Sequence, residues 1–170
     1  LRTYLNERES GEAVLVGLDC GLARVGSFIS LACSNSAPVL ITGETGTGKT
    51  LAAKAIHYGG KSRKQPFIPV NCAAFPDNLI ESELFGYEKG AFSGAVQAKR
   101  GLFEMAEGGA LCLEEIGEMP FHLQSKLLGV LDEGMIKRLG AEAFRPVKVR
   151  VIATTNVDLE QAIQDKTFRQ

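Results

Sequence analysis

Apolar residues in this chain fall into short runs of two kinds, and the two kinds alternate. Val39-Leu40-Ile41, Ala110-Leu111-Cys112-Leu113 and Val151-Ile152-Ala153 are unbroken runs bounded by Gly, Pro or polar residues, as expected of strands covered on both faces of a parallel sheet. Between them the apolar positions recur at helical spacing. Leu22, Val25, Phe28, Ile29 and Ala32 form one stripe, Ala52, Ala55 and Ile56 a second, Leu79, Ile80, Leu84 and Phe85 a third, and Leu123, Leu127, Val130 and Leu131 a fourth. The last three end at Gly59-Gly60, Gly86 and Gly134, and Asp158 supplies a cap for a last helix over Leu159-Glu160-Gln161-Ala162-Ile163. Strands and helices in alternation predict an α/β fold.

Two stretches carry extra information. Pro66-Phe67-Ile68-Pro69-Val70-Asn71-Cys72 reads as a strand, but Pro69 has no N–H for a ladder, which confines it to a sheet edge. Residues 87 to 101, YEKGAFSGAVQAKRG, show neither period and read as a loop with an exposed tip. Met135 to Leu139 and Phe144 to Val149 flank a turn centred on Gly140 and predict a hairpin. The polar opening, LRTYLNERESGE, reads as a linker or a fraying helix.

Composition narrows the function. At 170 residues, 45% hydrophobic and 23% charged, the chain is long enough to bury a core of one domain. Nineteen basic against 20 acidic residues, with no block of like charge, leave no electrostatic footprint of a nucleic-acid binder. No apolar run reaches the roughly 18 residues of a membrane span, and no signal peptide opens the chain, so a cytoplasmic protein without membrane contact is expected. Cys20, Cys33, Cys72 and Cys112 lack C-x-x-C pairing and sit in or beside apolar runs, which predicts buried thiols rather than metal ligands.

The chemistry lies at the ends of the apolar runs. Gly43-Glu44-Thr45-Gly46-Thr47-Gly48-Lys49-Thr50 matches G-x-x-x-x-G-K-[S/T] between a strand and a helix, the context in which that motif cradles phosphate. The glycines turn backbone N–H groups inward, the helix N-terminus adds positive potential, Lys49 reaches the terminal phosphates and the Thr50 hydroxyl serves Mg2+. Glu114 and Glu115 close the Ala110 run, where carboxylates meet the phosphate loop at the open edge of the sheet. One acid is suited to the magnesium shell and the next to activating water.

These motifs occur in the order of a known family. From about Val14 to Gln170 the chain resembles the AAA+ ATPase domain of bacterial enhancer-binding proteins, activators that work on RNA polymerase holoenzyme carrying sigma-54. GETGTGKT looks like its Walker A motif, ALCLEE its Walker B, and ATTN at 153 to 156 its first sensor; SELFGYEKGAFSGA at 82 to 95 is similar to the substrate-contact loop usually written GAFTGA, which other AAA+ proteins lack. The resemblance implies an AAA+ P-loop NTPase of three α/β/α layers with a parallel sheet, its phosphate-loop strand central, spanning 14–170 after a 1–13 linker. It implies ATP and Mg2+ as cofactors, with nucleotide contacts from Gly43 to Leu51 and metal contacts from Thr50 and Glu114. It also implies that Asn71 senses nucleotide and holds catalytic Glu115, that Asn156 reads the γ-phosphate, and that Gly90, Ala91, Phe92, Ser93, Gly94 and Ala95 contact sigma-54. Arg169 matches the first arginine of the family's FRxDLYYRL segment and would act on a neighbouring subunit of a hexameric ring.

The chain departs from the family pattern in three residues and in extent. Glu114 stands for Asp, which moves the carboxylate out by a methylene and predicts weaker metal binding or slower turnover. Ser93 stands for Thr and predicts a weaker partner contact, whereas Thr50, where many members carry Glu, favours magnesium. No counterpart is present of the second arginine, the next strand, the helical lid or the helix-turn-helix domain. The domain therefore reads as incomplete at its C-terminus, with DNA contact only through the missing part and weak hydrolysis by the chain alone. Two other readings stay open: a nucleotide-dependent sigma-factor binding module with little or no hydrolysis, and an AAA+ ATPase acting on another protein.

Overall fold

A computed structural model describes residues 23–169. The expected linker 1–13, Cys20 and Leu22 lie outside the described residues, as does Gln170. The expected alternation of elements is present. In chain order they are α1 (Ala23–Ser34), β1 (Val39–Thr42), α2 (Lys49–Tyr58), β2 (Phe67–Asn71), α3 (Asp77–Phe85), β3 (Gly86–Tyr87), β4 (Lys99–Arg100), α4 (Leu102–Met105), β5 (Ala110–Glu114), α5 (Phe121–Glu133), β6 (Met135–Ile136), β7 (Arg145–Pro146), β8 (Arg150–Thr155) and α6 (Leu159–Gln164).

Four strands form an all-parallel sheet in the order β1-β8-β5-β2. β2 is an edge strand, as the missing N–H of Pro69 demands, and Pro69 lies opposite Cys112 of β5. β5 and β8 are the inner strands, and the continuous apolar run of β5 is buried because helices cover both faces. One face carries the larger core, where Leu111, Leu113 and Val151 meet Ile80, Leu84, Phe103, Leu123 and Val130 of the helices. The other face packs Cys112 and Ile152 against Ala53 and Ile56 of α2. β1 departs from the expected central position. Among the described residues it pairs only with β8, which leaves it at the second edge with Leu40 51% exposed.

The helical stripes are narrower than the spacing predicts. α1 lies against α2 through Gly26 and Cys33, with Ile29 and Ala32 beside the same core, so Val25 and Phe28 of the expected stripe face outward. Leu79 of α3 and Leu131 of α5 are likewise exposed. In each case the helix touches its sheet along one line, and a residue about a quarter turn off that line has nothing to pack on.

The 87–101 loop has an ordered base. β3 and β4 pair antiparallel, Gly86 with Arg100 and Tyr87 with Lys99. The expected hairpin at Gly140 is also formed, β6 pairing with β7. Buried Arg138 joins the two: its guanidinium donates twice to Glu104 at 2.7 Å and once to Glu88 at 3.1 Å, while Arg145 donates to Glu88 at 2.8 Å. The Arg138 hydrogen bonds hold the Glu104 carboxyl below the usual range against the opposing effect of burial.

Candidate functional site

The C-terminal ends of β1, β5 and β8 open onto one edge of the sheet, the place where parallel α/β folds hold ligands. The chain leaving β1 wraps as residues 43–48 and enters α2 at Lys49. Gly46 and Gly48 have φ of 86° and 85°, a region where a side chain is strained, so the loop's curvature depends on glycine there. The N–H of Gly43 donates to Thr155 O at 3.1 Å, tying the loop to the end of β8.

Lys49 is buried and its ammonium donates to the carbonyls of Gly43 at 2.8 Å and Glu44 at 3.0 Å. It also lies 3.7 Å from a carboxylate oxygen of Glu115. The other Glu115 oxygen accepts the N–H of Asn156 at 3.0 Å, and the Asn156 amide donates to Thr45 Oγ1 at 3.0 Å. Loop, second acid and β8 end therefore close into a ring of contacts. Thr47 turns inward on its own loop, donating through Oγ1 to Glu44 O at 2.8 Å. Glu115 itself has φ 51° and ψ 53°, left-handed for a residue that is not glycine. Such strain is stable only where the surroundings impose it, and here it swings the carboxylate off the strand axis toward Lys49.

Thr50 and Glu114 form the second contact pair, the hydroxyl donating to Glu114 Oε1 at 2.8 Å. A hydroxyl and a carboxylate are hard oxygen donors, the kind Mg2+ takes alongside phosphate and water. No group of three or more His, Cys, Asp or Glu that could hold a metal ion occurs among the described residues. Leu51 follows in the first turn of α2, half-buried. Cys72 and Cys112 are buried and unpaired, and their thiols are pushed up to about 12, first by burial and then, for both, by the charge of Glu114.

Two expected site residues are placed elsewhere. Asn71 does not bond Glu115; its Oδ1 accepts the N–H of Ala73 at 2.9 Å, the local turn that asparagine offers its own backbone. Its Cα remains opposite Glu114 at the strand ends. Arg169 forms no ion pair with an acid among the described residues and lies over the Phe121 ring, 4.3 Å from its centre. Thr45 as the partner of Asn156 escaped sequence reasoning, because a threonine inside a variable stretch of the loop motif carries no signal of its own. Gln124 also escaped, although a polar residue beside Leu123 on a buried helical face was a usable sign.

The second candidate surface is the 90–95 turn. It is closed by Gly90 N–H donating to Ala95 O at 2.8 Å and Ala95 N–H donating to Phe92 O at 3.0 Å. Ala95 is buried, while Phe92 is 45% exposed and rests edge-on against Tyr87 with ring centres 5.0 Å apart. Gly90, Ser93 and Gly94 are exposed and Ala91 half-buried, so the tip is open to solvent around one aromatic ring. No helix among the described residues is long and apolar enough to cross a membrane.

Comparison with known proteins agrees with this geometry. Residues 15–170 match the family model described as the sigma-54 interaction domain. The chain is 54% identical over 136 residues to the regulatory protein AtoC of Escherichia coli (strain K12), covering 80% of this chain and 30% of AtoC. It is 46% identical over 162 residues to the anaerobic nitric oxide reductase transcription regulator NorR of Serratia proteamaculans (strain 568), covering 95% of this chain and 32% of NorR. Among solved structures, NtrX from Brucella abortus in complex with ATP superposes with a TM-score of 0.84 at 34% identity, over 94% of this chain and 34% of NtrX. The chain thus spans between 21% and 37% of the length of the curated relatives it matches.

Proposed function

This chain belongs to the sigma-54 interaction domain family, and from that premise we propose that it binds and hydrolyses ATP between neighbouring copies to move its 90–95 loop against sigma-54. The work done is remodelling of the RNA polymerase holoenzyme so that transcription starts. The observation that carries this reading is the closed set of contacts joining Lys49, Glu115, Asn156 and Thr45. Those four residues come from the phosphate loop, the end of β5 and the end of β8, so γ-phosphate arriving at Lys49 alters a contact on each.

Roles follow from position. The loop from Gly43 to Thr50, with Leu51 in the first turn of α2, wraps the phosphates through its backbone N–H groups other than those of Gly43 and Thr47, which bond Thr155 O and Glu44 O, and Lys49 exchanges its two loop carbonyls for phosphate oxygens. Bound Mg2+ supplies neutralising charge on the β- and γ-phosphates, and Thr50 and Glu114 are the residues to hold it. Glu115 accepts a proton from the attacking water as the bond to the γ-phosphorus forms and the bond to the ADP oxygen breaks. Asn156 reads the γ-phosphate through its amide. Asn71, whose side chain faces its own turn, is proposed to swing toward Glu115 when nucleotide is bound. Phe92 and Ser93 present the loop tip, Phe92 leaving Tyr87 to meet sigma-54. Arg169 serves the nucleotide of the next subunit in a hexameric ring, in the cytoplasm, with DNA bound by a separate helix-turn-helix domain.

One observation favours a second reading, binding without turnover. The Glu114 carboxylate accepts the Thr50 hydroxyl, so the two groups offered to the metal are bonded to each other until that bond is exchanged. The two readings separate in a magnesium-dependent ATP turnover assay of the full chain at rising protein concentration. Turnover per chain that climbs with concentration supports hydrolysis completed between copies. ATP binding without turnover, restored by Glu114→Asp, leaves only the binding module.

A further inference from the structure

The segment that carries Arg169 is anchored by a device the phosphate cradle does not use. α6 ends at Gln164, and Lys166 adopts φ 59°, a left-handed residue that is not glycine. Lys166 N–H donates to Ile163 O at 3.1 Å and Thr167 N–H to Ala162 O at 2.9 Å, the paired bonds of a Schellman ending. The chain reverses there, and Thr167 to Arg169 run back along the start of α5. Gln124, 5% exposed, takes hold of them: its amide nitrogen donates to Met119 O at 2.9 Å and Thr167 O at 3.1 Å, and its amide oxygen accepts Arg169 N–H at 2.8 Å. Only one orientation of the amide satisfies two carbonyls and one N–H, so the backbone of Arg169 is fixed on the buried side of α5. Phe168 packs on the larger core, which turns its neighbour Arg169 outward.

Outside, the Arg169 guanidinium lies over Phe121, the first residue of α5, whose ring is 45% exposed. An arginine stacked on a ring uses its flat face and keeps the five N–H donors along its edge free. α5 also begins without a side-chain cap, so the cation sits beside the positive end of a helix, and no acid among the described residues forms an ion pair with it. A guanidinium with a free edge, in a positive field, is built to receive an anion.

We propose that Phe121 and Gln124 are positioning residues that seat Arg169 with its donor edge outward, ready for the phosphate oxygens of a nucleotide held by a second copy of this chain. The seat rests on the reading of Arg169 given above, and adds that its aim is set before the copies meet. Stacking that leaves the donors free distinguishes a presenting seat from a holding one, since a retained arginine would have its edge bonded to its own chain.

The test is steady-state ATP turnover of the full chain with kcat and KM resolved. Phe121→Leu keeps an apolar side chain on an exposed position and removes the ring; kcat falls about two- to five-fold, the weight of a surface cation–π contact, with KM unchanged. Phe121→Tyr restores kcat. Gln124→Met, checked for native circular dichroism, loses more because the backbone of Arg169 is released. Mixing Phe121→Leu with Lys49→Ala chains raises turnover above the sum of the two alone, since each Lys49→Ala copy lends an intact seat to its neighbour's intact cradle. Unchanged kcat in Phe121→Leu and Gln124→Met, in a protein where Arg169→Ala loses turnover, overturns the seat while leaving Arg169 in its role. A faster Phe121→Leu also overturns it, because the ring then holds the arginine back. Full activity of Arg169→Ala removes the premise itself.

Discussion

The phosphate cradle and the 87–101 loop belong to one domain and are held in place by opposite means. The cradle is fixed by short bonds among backbone groups and strand-end side chains, Gly43 to Thr155, Lys49 to the loop carbonyls, Glu115 to Asn156. The loop stands on a two-residue ladder and on two backbone bonds with Leu139, Glu88 N–H to Leu139 O and Leu139 N–H to Gly86 O, and is braced from the side by Arg138 and Arg145 through Glu88, with Glu104 behind Arg138. On the proposed function the cradle meets the same phosphates every cycle, and sheet and helix hold it rigid for that task. On the same reading the loop tip moves, and beyond its backbone-bonded base the loop is tied to its neighbours through long side chains, Arg138 and Arg145 with Glu88 and Glu104.

That contrast is open to breakage, beginning with the largest effect. Lys49→Ala removes a buried charge that faces phosphate and weakens ATP binding by about 2–5 kcal/mol, measured by titration calorimetry, while the thermal stability of the loop side is retained. Arg138→Met leaves Glu104 and Glu88 without their shared cation and lowers stability by about 3 kcal/mol in chemical denaturation. ATP affinity stays at the parental value, because the brace does not touch the cradle. Thr45→Val breaks the Asn156 contact and costs about 1 kcal/mol of nucleotide affinity, read in the same titration.

The brace also has a pH signature. The Arg138 hydrogen bonds lower the folded-state pKa of Glu104, so its contribution to stability is present above the ordinary carboxylate pKa and is lost as pH falls through the lowered value. Thermal melts of the parent therefore steepen their decline with acid in that window, and Glu104→Gln flattens the added slope. The smallest effect is at the tip. Phe92→Ala removes an edge-on contact with Tyr87 and the partial burial of a ring that is already 45% exposed, and changes stability by no more than about 1 kcal/mol in the same melts.

The two regions were unequally legible in the sequence. The cradle was readable because strand, glycine loop and lysine occur in one contiguous stretch and each residue type has a physical task there; the edge position of β2 was readable from Pro69 alone. That residues 87–101 form a loop with an exposed tip was readable from their lack of period, but a contact role for that tip came only through resemblance to a family motif, since one phenylalanine among glycines has no chemical signal of its own. What bound it to the rest, Arg138 to Glu104 and Glu88, spans up to 50 residues and could not be paired from spacing. The Asn71 side chain bonds its own turn in this structure, an option that a local asparagine takes readily and that spacing alone does not reveal. The outward Val25 and Phe28 show that a helical stripe fixes a face only to within the width of the neighbour that covers it.

The central claim is that nucleotide in the cradle commands the loop, and the most direct measurement is capture of sigma-54 by the full chain with ADP, with ATP analogue, and with an ATP transition-state mimic. The account predicts capture only with the mimic, lost in Phe92→Ala while that variant still binds nucleotide like the parent. Capture of equal strength with ADP, or capture that survives Phe92→Ala, would contradict it.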